Sequence, residues 1–151
     1  MSYTKQYPIR WADLDPNGHM RHSAYNDYAA QLRLDFLEDA GYPLARFAQL
    51  GIGPILFRED TRFLREISPN ETITVGAELA GLSPDGRKWR IVHTVYKADG
   101  RESAVITVDG AWLDLRQRKL TAPPAELTAA LGQLERHASY AEIGGDGRTG
   151  Q

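Results

Sequence analysis

A polar loop segment reads Asp13-Leu14-Asp15-Pro16-Asn17-Gly18-His19-Met20-Arg21-His22-Ser23-Ala24-Tyr25. Ahead of it, residues 3–11 alternate between apolar and polar side chains, which predicts a first β-strand. Pro8 lacks a backbone N–H, so this strand should lie at a sheet edge or carry a bulge. The loop segment therefore begins directly after a predicted strand.

Apolar residues at helical spacing follow the loop segment. They recur three or four positions apart, at Tyr25, Tyr28, Ala29, Leu32, Phe36 and Ala40. With Ser23 as the N-cap and Gly41 as the stop, this spacing predicts a long helix over Ser23–Ala40. A short helical turn is predicted over Leu44–Leu50, and Pro123-Pro124 should open a final C-terminal helix.

Four extended segments lie between these helices, at residues 54–66, 71–82, 88–98 and 103–115. Asp85-Gly86 and Asp99-Gly100 separate the last three, and such dipeptides are strong hairpin signals. The four segments should therefore form an antiparallel meander, which gives an α+β domain of about five strands. The long helix should cover one face of the sheet. The other face would carry polar residues with Trp112 and Tyr96, so we expect a second subunit to cover part of it.

The composition is that of an ordinary globular domain of 151 residues. The formal net charge is −2, which predicts no nucleic-acid partner. No apolar run approaches the ~18 residues of a membrane span. The first ten residues lack the apolar core of a signal peptide, so we expect a cytoplasmic protein. The absence of Cys excludes disulfides, thiolate nucleophiles and Cys-ligated metals.

The chain shows no internal repeat and no linker. We therefore predict one domain over residues 1–143, followed by a flexible Gly-rich tail over residues 144–151.

Three interpretations of the loop segment compete. Asp15-Pro16-Asn17-Gly18 is a good β-turn, with Asp13 capping or solvating it. The spacing of Asp13, Asp15, Asn17 and Gly18 also matches the start of a calcium loop, although Ala24 stands where the essential Glu belongs. Finally, a carboxylate just before a helix N-terminus suits acyl transfer, because the helix N–H groups stabilise a developing oxyanion.

The loop also carries a family resemblance. The chain has Asp13-Leu14-Asp15-Pro16-Asn17-Gly18-His19-Met20 and then Tyr25, and it later has Phe63-Leu64-Arg65-Glu66-Ile67-Ser68-Pro69-Asn70-Glu71. Over residues 6–115 this pattern resembles the hotdog-fold acyl-CoA thioesterases of the 4-hydroxybenzoyl-CoA thioesterase type. Arg21-His22 replaces the usual Asn-Asn, and Asn70 replaces the usual Gly. The resemblance implies a hotdog fold, in which a curved antiparallel sheet wraps a long central helix.

The resemblance also implies an activity and a site. Asp15 matches the catalytic carboxylate of the family, and the backbone N–H near His22 matches the donor that polarises the thioester carbonyl. Asp13 matches a companion acid with a structural role. Substrate contacts are expected from Gly18, His19, Ser23 and Tyr25 near the loop and from Arg62 and Arg65 later in the chain. The sequence leaves open which basic cluster binds the coenzyme A phosphates: Arg58, Arg62 and Arg65; Arg87, Lys88 and Arg90; or Arg116, Arg118 and Lys119. The expected reaction is hydrolysis of an acyl-CoA thioester by a homodimer or homotetramer, without a cofactor or metal.

Other patterns bear on the function less directly. His19 and His22 are three positions apart without an obvious third ligand, so hydrogen-bonding roles are favoured over a metal site. His93 lies on an apolar strand face and should be a satisfied core residue. The alternatives to an enzyme are a non-catalytic acyl-ligand-binding hotdog protein or an unrelated α+β binding domain.

Overall fold

The structure, a computed structural model, describes residues 3–144. Residues 1, 2 and 145–151 lie outside the described part, and with them most of the predicted Gly-rich tail. The elements follow in the order β1 (Tyr3–Pro8), a 3-10 turn (Trp11–Asp13), α1 (His22–Asp39), α2 (Leu44–Leu50), β2 (Ile52–Phe63), β3 (Thr72–Leu82), β4 (Lys88–Tyr96), β5 (Glu102–Asp114), β6 (Lys119–Leu120) and α3 (Ala125–Gly132).

One antiparallel sheet contains all six strands, in the order β1-β3-β4-β5-β2, with the short β6 also paired to β5. Both predicted hairpins are confirmed, and Gly86 and Gly100 take positive φ in their turns. The predicted four-strand meander is wrong for its first member. β2 pairs with β5 instead of β3. Residues 64–71 connect β2, at one edge of the sheet, to β3, which lies next to the opposite edge strand β1.

The edge position that Pro8 predicts for the first strand is confirmed, because β1 pairs only with β3. The strand ends at Pro8, earlier than the alternation to Trp11 indicates. Asp13 draws the chain into a 3-10 turn instead, since its carboxylate accepts the backbone N–H of Arg10 at 2.9 Å.

The long helix α1 begins one residue earlier than predicted, and its N-cap is Arg21, so the assignment of Ser23 as N-cap is wrong. The Ser23 hydroxyl is engaged elsewhere, because it lies 2.6 Å from Nη1 of Arg21. At the other end the predicted stop is confirmed, since Gly41 adopts a φ of +90° that favours glycine.

The core lies between α1 and the concave face of the sheet. It consists mainly of fully buried aliphatic residues, among them Ala29, Leu32, Ile73, Val75, Ile106 and Val108. Trp112 belongs to this face too, with 1% of its surface exposed, so its predicted place on the outer face is wrong. Phe47 of α2 stacks on it, with ring centroids 5.6 Å apart, and so covers this end of the concave face.

The C-terminal helix α3 buries Leu127 and Leu131 against the same core. After it, the chain runs beside β3, where the N–H of His137 donates to the carbonyl of Leu79 at 2.8 Å. A long helix held in a curved antiparallel sheet, with an extra C-terminal helix, is the hotdog architecture that the resemblance implies. Among residues 3–144, no helix is long and apolar enough to span a membrane.

Candidate active site

The predicted β-turn before α1 is confirmed. The N–H of Gly18 donates to the carbonyl of Asp15 at 3.0 Å, and Gly18 adopts a φ of +80°. The N–H of Asp15 donates in turn to the carbonyl of His19 at 2.8 Å. These two bonds close the loop on itself, so that the chain returns to the helix start within a few residues.

The side chain of Asp15 lies inside this turn and is half-buried. Its Oδ1 accepts the N–H of Asn17 at 2.9 Å and the N–H of His19 at 3.3 Å. Both donors are backbone groups, so the orientation of the carboxylate is set by the fold of the loop itself. No described side chain forms an ion pair with Asp15, and its Oδ2 is left available for chemistry.

The loop leads directly into the N-terminus of α1. The N–H of Arg21 donates to the carbonyl of Asp13 at 2.7 Å, and the N–H of Met20 donates to the carbonyl of Ile67 at 2.9 Å. No side chain caps the helix. Within the described residues, the N–H groups of His22 and Ser23 find no protein acceptor, and both residues are exposed. Such a helix end attracts negative charge.

Asp13 is fully buried, unlike Asp15. Its carboxylate accepts hydrogen bonds from Arg10, including Nη2 at 2.8 Å, and from the hydroxyl of Tyr28. Burial raises the pKa of Asp13, but these hydrogen bonds and the Arg10 charge outweigh that effect and lower the pKa to about 2. Asp13 is therefore a charged anchor of the loop, which agrees with the structural role that the resemblance implies.

This arrangement bears on the calcium interpretation. The Asp13 carboxylate is occupied by Arg10 and Tyr28, and Ala24 is buried inside the first turn of α1. Within the described part of the chain, no group of three or more His, Asp or Glu side chains could hold a metal ion. The turn and the acyl-transfer interpretations remain, and they are compatible with each other.

His19 and Tyr25, both in the loop segment, contact residues at the end of β2 or just after it. His19 Nε2 lies 3.2 Å from Oε2 of Glu66, and its Nδ1 is buried without a partner. Tyr25 is 3% exposed, and its ring contacts that of Phe63 edge to face at 5.1 Å. Tyr25 therefore fixes the helix start against the end of β2, and His19 holds the loop near the segment that follows β2.

The two arginines predicted to bind substrate are placed differently. Thr61 and Phe63 contact α1, so Arg62 between them lies on the opposite face of β2. Within one chain, the structure does not bring Arg62 together with Asp15. Arg65 is exposed in the connection between β2 and β3, two residues before Ile67, whose carbonyl accepts from the loop. The Nη1 of Arg65 donates to the carbonyl of Glu102 at 2.8 Å.

Sequence reasoning missed Arg33. Its Nη1 lies 3.0 Å from Nε2 of His93, a fully buried residue whose Nδ1 contacts the carbonyl of Gly76 at 3.0 Å. The prediction that His93 is a satisfied core residue is confirmed. The signal for Arg33 was its spacing: it stands four residues after Ala29 and four before Leu37, both buried, and so belongs to the inner face of α1.

Comparison with known proteins agrees with this architecture. The family model of the thioesterase-like superfamily matches residues 9–131. A 1,4-dihydroxy-2-naphthoyl-CoA thioesterase from Synechocystis superposes with a TM-score of 0.79 at 14% identity, covering 89% of this chain and 98% of its own. A hypothetical protein from Staphylococcus aureus, solved in complex with CoA, gives a TM-score of 0.82 at 19% identity, covering 100% of this chain and 93% of its own.

A hypothetical protein from Thermus thermophilus is similar at 25% identity, with a TM-score of 0.77 and coverage of 87% of this chain and 98% of its own. No curated protein matches the sequence. The structural neighbours show the same fold, and the family model spans the loop, α1 and the strands from β2 to β6. The chain therefore belongs to the thioesterase-like superfamily and has its hotdog fold.

Proposed function

We propose that this protein hydrolyses an acyl-CoA thioester to a carboxylic acid and free coenzyme A. The observation that carries the proposal is a half-buried, oriented Asp15 carboxylate in the loop that leads into α1, where the exposed residues His22 and Ser23 have N–H groups without a described acceptor. The first supplies a base or nucleophile, and the second supplies donors for the carbonyl oxygen. The superfamily membership of the chain supports the same reaction class.

The chemistry requires only these groups. The thioester oxygen would accept hydrogen bonds from the N–H of His22 and Ser23, where the helix dipole stabilises the developing negative charge. Asp15 would either take a proton from the attacking water or attack the carbonyl carbon itself. In both routes the C–S bond breaks and coenzyme A leaves as a thiolate, so no strong general acid is needed. In the second route water then hydrolyses the mixed anhydride on Asp15, which releases the acid and restores the carboxylate.

The other predicted residues have supporting roles in this proposal. Gly18 gives the loop its positive φ, and His19, Ser23 and Tyr25 surround the entrance to α1. Arg65 lies next to the segment that contacts the loop and would bind a phosphate of coenzyme A. Arg62 lies on the face of β2 opposite to α1. It would therefore bind a coenzyme A phosphate only if the ligand crosses the sheet edge, or if the phosphate belongs to a ligand in the site of a second copy. A structural neighbour solved with CoA supports a ligand of this kind.

A homodimer is part of the proposal. β2 is an edge strand of the described sheet and carries several exposed apolar side chains, namely Leu56, Phe57 and Phe63, with Leu64 directly after it. An exposed apolar edge favours pairing with another chain. A second copy at this edge would cover these residues, and a tetramer could form from two such dimers. The cytoplasmic location stays a prediction.

A thiol-release assay tests the function. Purified protein is offered short, long and aromatic acyl-CoA substrates, and free thiol is followed with a colorimetric reagent. We expect the protein to hydrolyse at least one of these substrate classes, and we expect this turnover to depend on Asp15. Tight binding of the acyl-CoA panel without release of thiol from any member would favour the non-catalytic binder instead.

A further inference from the structure

A cavity of about 250 Å³ lies between the second half of α1 and the concave face of the sheet. Its walls are mainly apolar, with contributions from Leu34, Leu37, Leu56, Ile91, Leu131 and Leu134. Taking ~30 Å³ for a water-sized group, it holds about eight such groups. The cavity is therefore large enough for the end of a ligand chain, but not for a coenzyme A molecule.

The polar groups of this cavity are all hydrogen-bond donors. Arg33, Trp89 and Trp112 contribute to its wall. The indole nitrogens of Trp89 and Trp112 are buried and have no hydrogen-bond partner among residues 3–144. Buried donors without acceptors are rare in folded proteins and call for an explanation. Here two of them accompany a half-buried guanidinium.

Arg33 has no carboxylate of its own within the described chain. The negative charge of Glu59 partly offsets the lowering of the Arg33 pKa by burial, but the two side chains form no ion pair. Its one hydrogen-bond partner is His93, whose Nδ1 faces the carbonyl of Gly76. A carbonyl only accepts, so Nδ1 carries the proton and Nε2 accepts from Arg33. Burial holds the pKa of His93 well below its ordinary value, so the neutral imidazole orients the guanidinium without neutralising its charge.

The cavity and the candidate active site lie along the same pair of elements, α1 and β2. β2 runs antiparallel to α1: the Tyr25 ring contacts Phe63, the Thr61 hydroxyl bonds Asn26 at 3.0 Å, and Leu56 and Leu34 both line the cavity. From His22 to Arg33 the helix rises about 16 Å. An extended chain advances roughly 1.2 Å per bond, so about a dozen bonds span this distance.

We propose that the cavity binds the terminal carboxylate of the acyl chain, so that the preferred substrates are thioesters of dicarboxylic acids about a dozen atoms long. A carboxylate at neutral pH is an acceptor-only group, which matches the donors of the Arg33 guanidinium in the cavity wall. The apolar walls would contact the methylene chain. This inference rests on the proposed function for its thioester but not for the carboxylate site itself.

Binding is measured first, because it does not require turnover. Titration calorimetry compares dodecanedioic acid with 1,12-dodecanediol, which has the same length without charge. We expect the diacid to bind the native protein at least ~10-fold more tightly, the scale of a charge-assisted hydrogen bond. Arg33→Gln should remove this difference and leave diol binding unchanged. Arg33→Lys should restore part of it.

Turnover is measured next, with the 11-carboxyundecanoyl thioester of coenzyme A, which is the monothioester of dodecanedioic acid, and with the dodecanoyl thioester. The native protein should prefer the carboxylated thioester in kcat/KM by at least ~10-fold. Arg33→Gln should lose the preference while retaining its rate on the dodecanoyl thioester. Arg58→Gln, on the outer face of β2 and 3.3 Å from Asp60, is the matched control and should change neither value.

The two proposals fail in different ways. If the diacid binds through Arg33 but neither thioester is cleaved, the carboxylate site stands and the proposed function fails. If both thioesters are cleaved equally well and Arg33→Gln has no effect, the carboxylate site is refuted while the function stands. If Arg33→Gln leaves diacid binding intact but shifts the protein to a monomer, Arg33 pairs with a second copy and the inference is overturned.

Discussion

The carboxylate of Asp13 accepts a hydrogen bond from the hydroxyl of Tyr28 in the second turn of α1. This bond ties the candidate catalytic loop to the helix whose N-terminus the loop precedes. Asp13 is also bound by Arg10 on its other side, so one buried carboxylate joins the end of β1, the 3-10 turn and α1. Asp15, two residues later, remains half-buried and unpaired with any described cation. The loop thus carries the anchoring acid Asp13 two residues before Asp15, the acid that we propose to be catalytic.

The first prediction concerns the pH dependence of stability through Asp13. Its folded-state pKa lies near 2, below the value near 4 of an unfolded Asp. The stabilisation is therefore fully present above about pH 5 and is lost as the pH falls toward 2, with a total of up to about 2 kcal/mol. Asp13→Asn should unfold at lower denaturant concentration at pH 7, and its deficit relative to the native protein should shrink to about half at pH 3. An equal deficit at both values would contradict the anchoring role.

The second prediction concerns the rate. Asp15→Asn preserves the shape of the side chain and one oxygen acceptor for the N–H of Asn17. The loss of charge should lower thioester turnover at least ~100-fold, the scale of a lost base. The melting temperature should stay close to the native value.

Asp13→Asn is the matched control for this rate effect, since it alters the neighbouring acid. It should cost less in rate and more in stability than Asp15→Asn. Full activity of Asp15→Asn would refute the assignment and leave the loop as a structural turn.

The third prediction concerns packing behind the cavity. A Cβ added at Gly110 would lie 2.3 Å from Cζ2 of Trp89 and 2.6 Å from the carbonyl oxygen of Ile55. Gly110→Ala should therefore destabilise the protein by about 1–3 kcal/mol through overpacking. At Gly132, the last residue of α3, a Cβ meets no atom within 4 Å. Gly132→Ala should be neutral or stabilise by up to about 1 kcal/mol. Denaturant titration of both variants measures the contrast.

The fourth prediction concerns the exposed β2 edge. We expect the native protein to sediment as a dimer or larger at micromolar concentration. Phe57 is half-exposed at the bulge of β2, and Phe57→Lys should shift the equilibrium toward monomer because a lysine on an edge strand disfavours pairing. Leu44→Lys introduces the same charge at an exposed apolar position of α2 and should not change the assembly. A native protein that is monomeric at these concentrations would refute the dimer.

The sequence by itself determined the local elements of this protein. Asp85-Gly86 and Asp99-Gly100 formed the two predicted hairpins, because a glycine at positive φ in a short turn depends on almost nothing outside that turn. The helical spacing after the loop predicted α1 to within a residue or two, and Gly41 ended it. The turn at Asp15–Gly18 followed from its own four residues. Each of these features depends on neighbours a few positions away.

Only the tertiary structure decided which surfaces meet. Both faces of β5 carry apolar residues, so alternation alone did not reveal that Trp112 belongs to the core under Phe47. The partner of β2 depends on a crossover that no local pattern encodes. Arg33 and His93 are 60 positions apart, and each is unremarkable in its own segment. Long-range contacts are chosen by the packing of whole elements, because burial free energy depends on which surfaces are brought together rather than on the order of residues along the chain.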